Sequence, residues 1–197
     1  MTRRIALCVL LFAACVVHAA PLCAQPRPQD WYGKLPKPKD FDAPKKFSGS
    51  FQIELPKDWQ LGPGHTGTVF LVIEKTKRFE QGAAILLEYQ SLQTAVDPSI
   101  LPAVGTELLK DVQARELEGS AFYQQAIRAL DGRFLIMIQY DRPSLAGGGA
   151  KDHVGQYSMP IGKTMYHLIC IAPAAQVEKY RPIFAHTAAS FATVTGS

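Results

Sequence analysis

The stretch AFYQQAIRALDGRFLIMIQYD, residues 121–141, holds two β-prone runs around Asp131-Gly132. Asp-Gly suits the two positive-φ positions of a type I′ turn, whose twist matches that of the strands it joins. The spacing predicts a hairpin, 121–130 against 133–141. The pattern then recurs. VGQYSMP (154–160) and TMYHLICIA (164–172) flank Ile161-Gly162-Lys163 and predict a second hairpin. Two adjacent hairpins make an antiparallel sheet.

Upstream, Phe51, Ile53 and Leu55 alternate with Gln52 and Glu54, a strand with one buried face. Pro56-Lys57-Asp58 turns the chain before Trp59, a large aromatic expected to seal the sheet–helix interface. TVFLVI (68–73) is apolar on both faces and reads as a central strand, and 84–89 as a third. Asp97-Pro98 is a cap followed by proline at the first helical position. Leu101, Val104, Leu108 and Val112 then recur at helical spacing, so 98–117 is predicted to be an amphipathic helix. Val177, Tyr180, Phe184, Ala188 and Phe191 mark a C-terminal helix with Pro182 early in it. The order β β β α β β β β α makes the fold α+β: an antiparallel sheet of about six or seven strands with helices packed on it.

The chain has 197 residues and is 47% hydrophobic, enough for one core and too polar for a multi-span membrane protein. Residues 1–24 have the parts of a secretory signal peptide: Arg3 and Arg4, an uncharged apolar run from Ile5 to Val17, then small residues. The expected cut follows Ala24, with Ala19/Ala20 as the alternative. Ala13-Ala14-Cys15 also resembles a lipidation site. Phe12 stands where Leu or Val is usual, however, and the apolar chain runs on past the cysteine, so an ordinary leader is the preferred reading. The protein is therefore expected to be periplasmic or extracellular. Three of four cysteines lie in the leader, so no intrachain disulfide is available to a mature chain. Cys170, inside a strand, reads as a small buried apolar residue.

Residues 25–46 carry five prolines, six basic and three acidic residues, and read as a Pro/Lys-rich linker. Residues 47–197, the single expected domain, hold 13 basic and 14 acidic residues. The positive charge thus sits in the tail, which is expected to act as a spacer and to add little core. Trp31 and Tyr32 within it are possible partner contacts. A domain near neutrality, in an exported chain, speaks against nucleic acid.

Phe51-Gln52-Ile53-Glu54-Leu55-Pro56-Lys57-Asp58-Trp59 resembles the F-x-I-x-x-P-x-x-W opening of the PsbP-like group. Tyr157 and Tyr166, then Glu178 to Phe184 and the closing Ala189-Ser190-Phe191, are similar to that group's C-terminal half. The likeness spans about 47–194. It implies an αβα sandwich, a function in binding other proteins, and no shared catalytic apparatus. The group includes a photosystem II subunit, a Ran-binding import factor and many exported bacterial proteins. The matched residues are core and turn positions, so no particular partner carries over.

Motifs that carry chemistry are scarce. Gly162-Lys163-Thr164 resembles the end of a phosphate-binding loop, but Tyr157 stands where the first glycine belongs and a strand follows. No GxSxG or CxxC occurs, and no two histidines have metal-ligand spacing. No catalytic residue, cofactor or metal ligand is assigned. The weak ligand candidates are His65, in the Gly62–Gly67 turn, and Lys151 and His153, after the Gly147–Gly149 run. His167 is expected to be a hydrogen-bonded histidine at the edge of the core, and His186 to be exposed on the last helix. The reading is an exported, non-catalytic envelope protein that binds a protein or a surface. The alternative is a small-ligand carrier or enzyme using the sheet face and the 62–67 and 145–153 loops.

Overall fold

A computed structural model of the chain describes residues 40–47, 51–62, 66–75, 82–115, 122–128, 134–144, 147 and 149–194. The strands are β1 (Lys45–Phe47), β2 (Phe51–Ile53), β3 (Trp59–Gly62), β4 (Thr68–Glu74) and β5 (Ala84–Ser91), then β6 (Phe122–Arg128), β7 (Phe134–Pro143), β8 (Lys151–Ile161), β9 (Thr164–Pro173) and β10 (Ala192–Thr193). Helix α1 (Leu101–Arg115) lies between β5 and β6, and α2 (Val177–Ser190) between β9 and β10. A 3-10 turn, Pro98–Ile100, leads into α1, so the helix starts later than the proline signal suggested.

Seven strands form one antiparallel sheet in the order β3-β4-β5-β9-β8-β7-β6. Both expected hairpins are present. β6 pairs with β7 from Phe122↔Tyr140 to Arg128↔Phe134, and β8 pairs with β9 from Asp152↔Pro173 to Ile161↔Thr164. The second is closed by Gly162 at φ +57°, a conformation glycine adopts without strain. The Asp131-Gly132 turn itself lies outside the described residues.

Period-two alternation divides the sheet's side chains between two covers. On one face Ile85, Leu87, Met137, Tyr157, Leu168 and Cys170 pack against α2, which contributes Tyr180, Phe184 and Ala188. On the other, Ile136, Ile138, Tyr140 and Val154 meet Leu101 and Val112 of α1. The layers are therefore helix, sheet, helix. The Tyr180 hydroxyl donates to Glu74 Oε2 at 2.7 Å, so β4 and α2 are tied by a hydrogen bond at the rim of the core. Trp59 sits beside them, edge-on to Tyr180 with centroids 6.3 Å apart, at the sheet–helix seam.

The N-terminal strands differ from expectation. The Phe51–Leu55 alternation is real, with all three apolar side chains buried, but only Phe51–Ile53 is strand. It pairs with β1 and β10 in a separate three-stranded sheet rather than joining the main one. There Phe51 stacks on Phe191 at 4.8 Å and closes one end of the α2 core. Trp59 opens an edge strand, β3, that sequence reading missed. Thr68–Ile73 is next to this edge rather than central; Phe70 and Val72 are buried while Leu71 and Ile73 are half-buried.

The folded part also includes the end of the proline-rich stretch, where Asp40 and the residues after it pack. Lys57 N donates to Asp40 O at 3.1 Å, and Asp42 N to Leu55 O at 2.9 Å. Phe41 between them is buried and stacks on the His186 ring at 3.9 Å. His186 is thus covered rather than exposed as the sequence suggested. Phe41 lies on its ring, and Nε2 meets Glu54 Oε2 at 2.7 Å. The other ring nitrogen, Nδ1, is buried with no hydrogen-bond partner. Phe41→Ala is expected to cost about 3–5 kcal/mol, the scale for removing a buried phenylalanine. Deletion of 25–46, which removes Phe41, should destabilise the fold at least as much as Phe41→Ala. An unchanged urea midpoint for Phe41→Ala would show that the arm does not pack as described.

Candidate functional site

Helix α1 covers its face of the sheet unevenly. Leu101, Gly105 and Val112 are buried, and the helix packs over the β6–β7 side. A neighbouring stripe of α1, formed by Val104, Leu108, Asp111 and Arg115, stands over β5 and β9; Val104 and Leu108 are half-buried and pack on the edge of the core, and open space remains beside them. These residues are spaced i, i+4, i+7 and i+11, hence on one side of the helix. They span about 16 Å at 1.5 Å per residue. The stripe is apolar in its first half and charged in its second.

The strands below grade in the same direction. Gln90 pairs with Met165, and Glu88 with His167. Two contiguous chambers result, sharing Gln90, Leu108 and Asp111. The first, about 580 Å³, is walled by Leu92, Val96, Val104 and Met165. The second, about 380 Å³, is walled by Glu88, Arg115, Gln156 and His167. Both volumes fall in the range of small-molecule sites.

His167 is held from beneath. Its Nδ1 lies 2.9 Å from Ser158 Oγ and 3.2 Å from Gln156 Nε2, which is also 3.2 Å from Ser158 Oγ. An amide nitrogen can only donate. The consistent pattern has Gln156 donating, the Ser158 hydroxyl donating onward, and His167 Nδ1 accepting. The ring proton is then on Nε2. Burial, with a smaller contribution from the Arg115 guanidinium, pulls the His167 pKa down to about 4. The imidazole is neutral at pH 7.

A serine against a histidine invites comparison with a hydrolytic pair, and the geometry rejects it. Ser158 is fully buried, so no substrate carbonyl reaches Oγ. A base of pKa about 4 is also poorly matched to proton abstraction near neutrality. The network is one of satisfied polar groups under a cleft floor. Cys170 is no nucleophile either: it is completely buried on the opposite sheet face, and burial pushes its thiol pKa well up.

Of the ligand candidates singled out from sequence, the two described ones, Lys151 and His153, do not line the cleft. Lys151 and His153 belong to β8, not to a loop. Lys151 is exposed, and His153 Nδ1 is 2.8 Å from Asp141 Oδ1 on the neighbouring strand. By alternation His153 faces away from Gln156. His65, Trp31 and Tyr32 lie outside the described residues. The cleft residues Glu88, Asp111, Arg115 and Gln156 form no local motif and were missed. Val104 and Leu108 were read as core with Leu101 and Val112. The available signal was the change from apolar to charged along 104, 108, 111 and 115. Among the described residues no three His, Cys, Asp or Glu side chains converge as metal ligands.

No protein-family model and no curated protein matches the sequence. Solved structures do. The solution structure of cyanobacterial PsbP (CyanoP) from Synechocystis sp. PCC 6803 superposes with a TM-score of 0.57, covering 77% of this chain and 92% of that one at 13% identity. The fold is PsbP-like. LpqN, involved in cell envelope biogenesis of Mycobacterium tuberculosis, matches at TM-score 0.52 and 15% identity over 78% of this chain and 90% of its own. The Saccharomyces cerevisiae Ran-binding protein Mog1p matches at 0.50 and 10%, over 77% and 96%. At such identities the likeness establishes the PsbP-like architecture and leaves the site to be argued from its own residues.

The neutral histidine has a consequence for stability. The unfolded chain's His167 binds a proton near its ordinary pKa of 6.5, whereas the folded one resists until about 4. Folding is thus unaffected by this group above pH 6.5, loses stability as pH falls from 6.5 to 4, and levels off below. The full difference is on the order of 3 kcal/mol. Urea titrations of the wild type and His167→Gln at pH 7, 5.5 and 4 should show the wild type's stability relative to the variant shrinking toward low pH. A pH-independent difference would contradict a buried neutral imidazole.

Proposed function

We propose that this protein is an exported, non-catalytic envelope module that works by binding a protein or an envelope surface, with the α1 cleft as its contact face. The observation that carries the proposal is the cleft itself. It is open and mainly apolar at one end, while the Ser158 hydroxyl beneath it is fully buried and the His167 imidazole that accepts from it is held neutral. Such a site offers shape and charge and supplies no nucleophile. The signal-peptide pattern of residues 1–24 supports export. Among the described residues, no helix is long and apolar enough to cross a membrane. Two proteins of the same fold are consistent with the reading: LpqN, involved in cell envelope biogenesis, and Mog1p, a Ran-binding protein.

A second reading, a small-ligand carrier, is favoured by the chamber volumes. In that reading His65, Lys151 and His153 remain candidate contacts alongside the cleft.

One experiment separates these. A photo-crosslinking amino acid is placed at Leu108 in the full chain expressed in the source cell, with a control at Lys151. The proposal expects the protein in the envelope fraction and a discrete adduct of protein size, or to an envelope polymer, from position 108 and not from 151. A small-molecule mass increment at 108 would favour the carrier. Retention in the cytoplasm, or equal adducts from both positions, would overturn the proposal.

A further inference from the structure

The charge lining the cleft is unbalanced. Glu88, Glu107 and Asp111 line it, against Arg115 alone. Glu107 is neutralised by Lys110 at 2.8 Å, on an exposed turn of α1. Arg115 is drawn back to its own helix, Nε donating to the Asp111 carbonyl at 3.2 Å. Among the described residues, Glu88 and Asp111 have no ion-pair partner. Glu88 is half-buried, so its charge is less screened than a fully exposed one. The neutral His167 adds no positive charge beside it.

Polarity also runs lengthwise. The apolar walls from Leu92, Val96, Val104, Leu108 and Met165 end where the two unpaired carboxylates begin. From Val104 to Asp111 α1 spans about 10 Å, and Leu92 and Val96 extend the apolar wall beyond the helix start, so the cleft runs lengthwise as an alkyl chain with a head group does.

We infer that the cleft binds a single-chain amphiphile with a cationic head, the chain lying between α1 and β9 and the head between Glu88 and Asp111. This rests on the second reading, the small-ligand carrier, and names the ligand class its cleft takes. Aliphatic walls favour the chain by removing it from water. The two carboxylates favour an ammonium over a neutral or anionic head by charge complementarity, which governs specificity more than total affinity.

The test is calorimetric titration of the full mature chain with dodecyltrimethylammonium below its micelle concentration. Dodecyl maltoside, dodecanoate and tetramethylammonium serve as comparisons. The expected result is one site for dodecyltrimethylammonium, at least tenfold tighter than for dodecyl maltoside or dodecanoate, with no detectable binding of tetramethylammonium. The pair Glu88→Gln and Asp111→Asn should erase the tenfold preference while leaving dodecyl maltoside binding unchanged. In the wild type, the Met165 methyl resonance should shift on titration, which places the site without relying on a variant's folding. Equal or tighter dodecanoate binding, a preference that survives the double substitution, or no binding of any dodecyl compound would each overturn the inference. Failure here with a small-molecule mass increment at position 108 would leave the carrier reading standing, whereas failure of both would remove it.

Discussion

Strand β8 is buried on both sides from Val154 to Met159, and the rest of the architecture follows from that constraint. Tyr157 and Met159 point to one face, Val154, Gln156 and Ser158 to the other. Each face therefore needs a cover. Helix α2 and the small sheet β1-β2-β10 provide a broad one, sealed by Phe41, Phe51 and Phe191. Among the described residues a single helix provides the other, and it lies toward the β6–β7 side. Seven strands are wider than one helix, which is about 10–12 Å across, so part of the second face is left over. That remainder, beside β5 and β9, is the cleft.

Polar residues on a doubly buried strand must find partners within the protein. Gln156 and Ser158 do so through His167, and this requirement explains the neutral imidazole better than a catalytic role does. The same economy appears on the opposite side, where Glu54 meets His186 and Glu74 meets Tyr180. One link ties the α2 layer to the residue after β2 and the other ties it to β4, and neither presents a reactive group. The cleft is polar where β8 and β9 are polar, and apolar where Met165 and the start of α1 face each other. Its graded character is thus inherited from the sheet.

The main features of the fold were legible because they are local. Asp131-Gly132 and Gly162-Lys163 mark hairpins within a few residues, and the helix periods of 101–112 and 177–191 are strong. What could not be read depended on distant contacts. Nothing near His186 announces that Phe41 will stack on it from 145 positions upstream. Gln156 and Ser158 look like solvent-side residues until β8 is placed in mid-sheet. Glu88 comes from β5 and Asp111 and Arg115 from α1, and they meet only because the helix lies over the sheet. Val104 and Leu108 carry the same periodic signal as Leu101 and Val112. Which of the four is core depends on where the helix sits across the sheet, and periodicity does not encode that position.

One α1 stripe thus holds the fold, and the adjacent one borders the cleft proposed as the contact face. Paired denaturation of Leu108→Gln and Val112→Gln tests this division directly. Val112 is 1% exposed against Ile136 and Ile138, whereas Leu108 is half-buried along the cleft. The account expects Val112→Gln to lose about 3 kcal/mol or more by burying an unsatisfied amide, and Leu108→Gln to stay within about 1 kcal/mol of wild type. Comparable losses from both would mean that Leu108 is core, that α1 closes fully on the sheet, and that the cleft is no contact face.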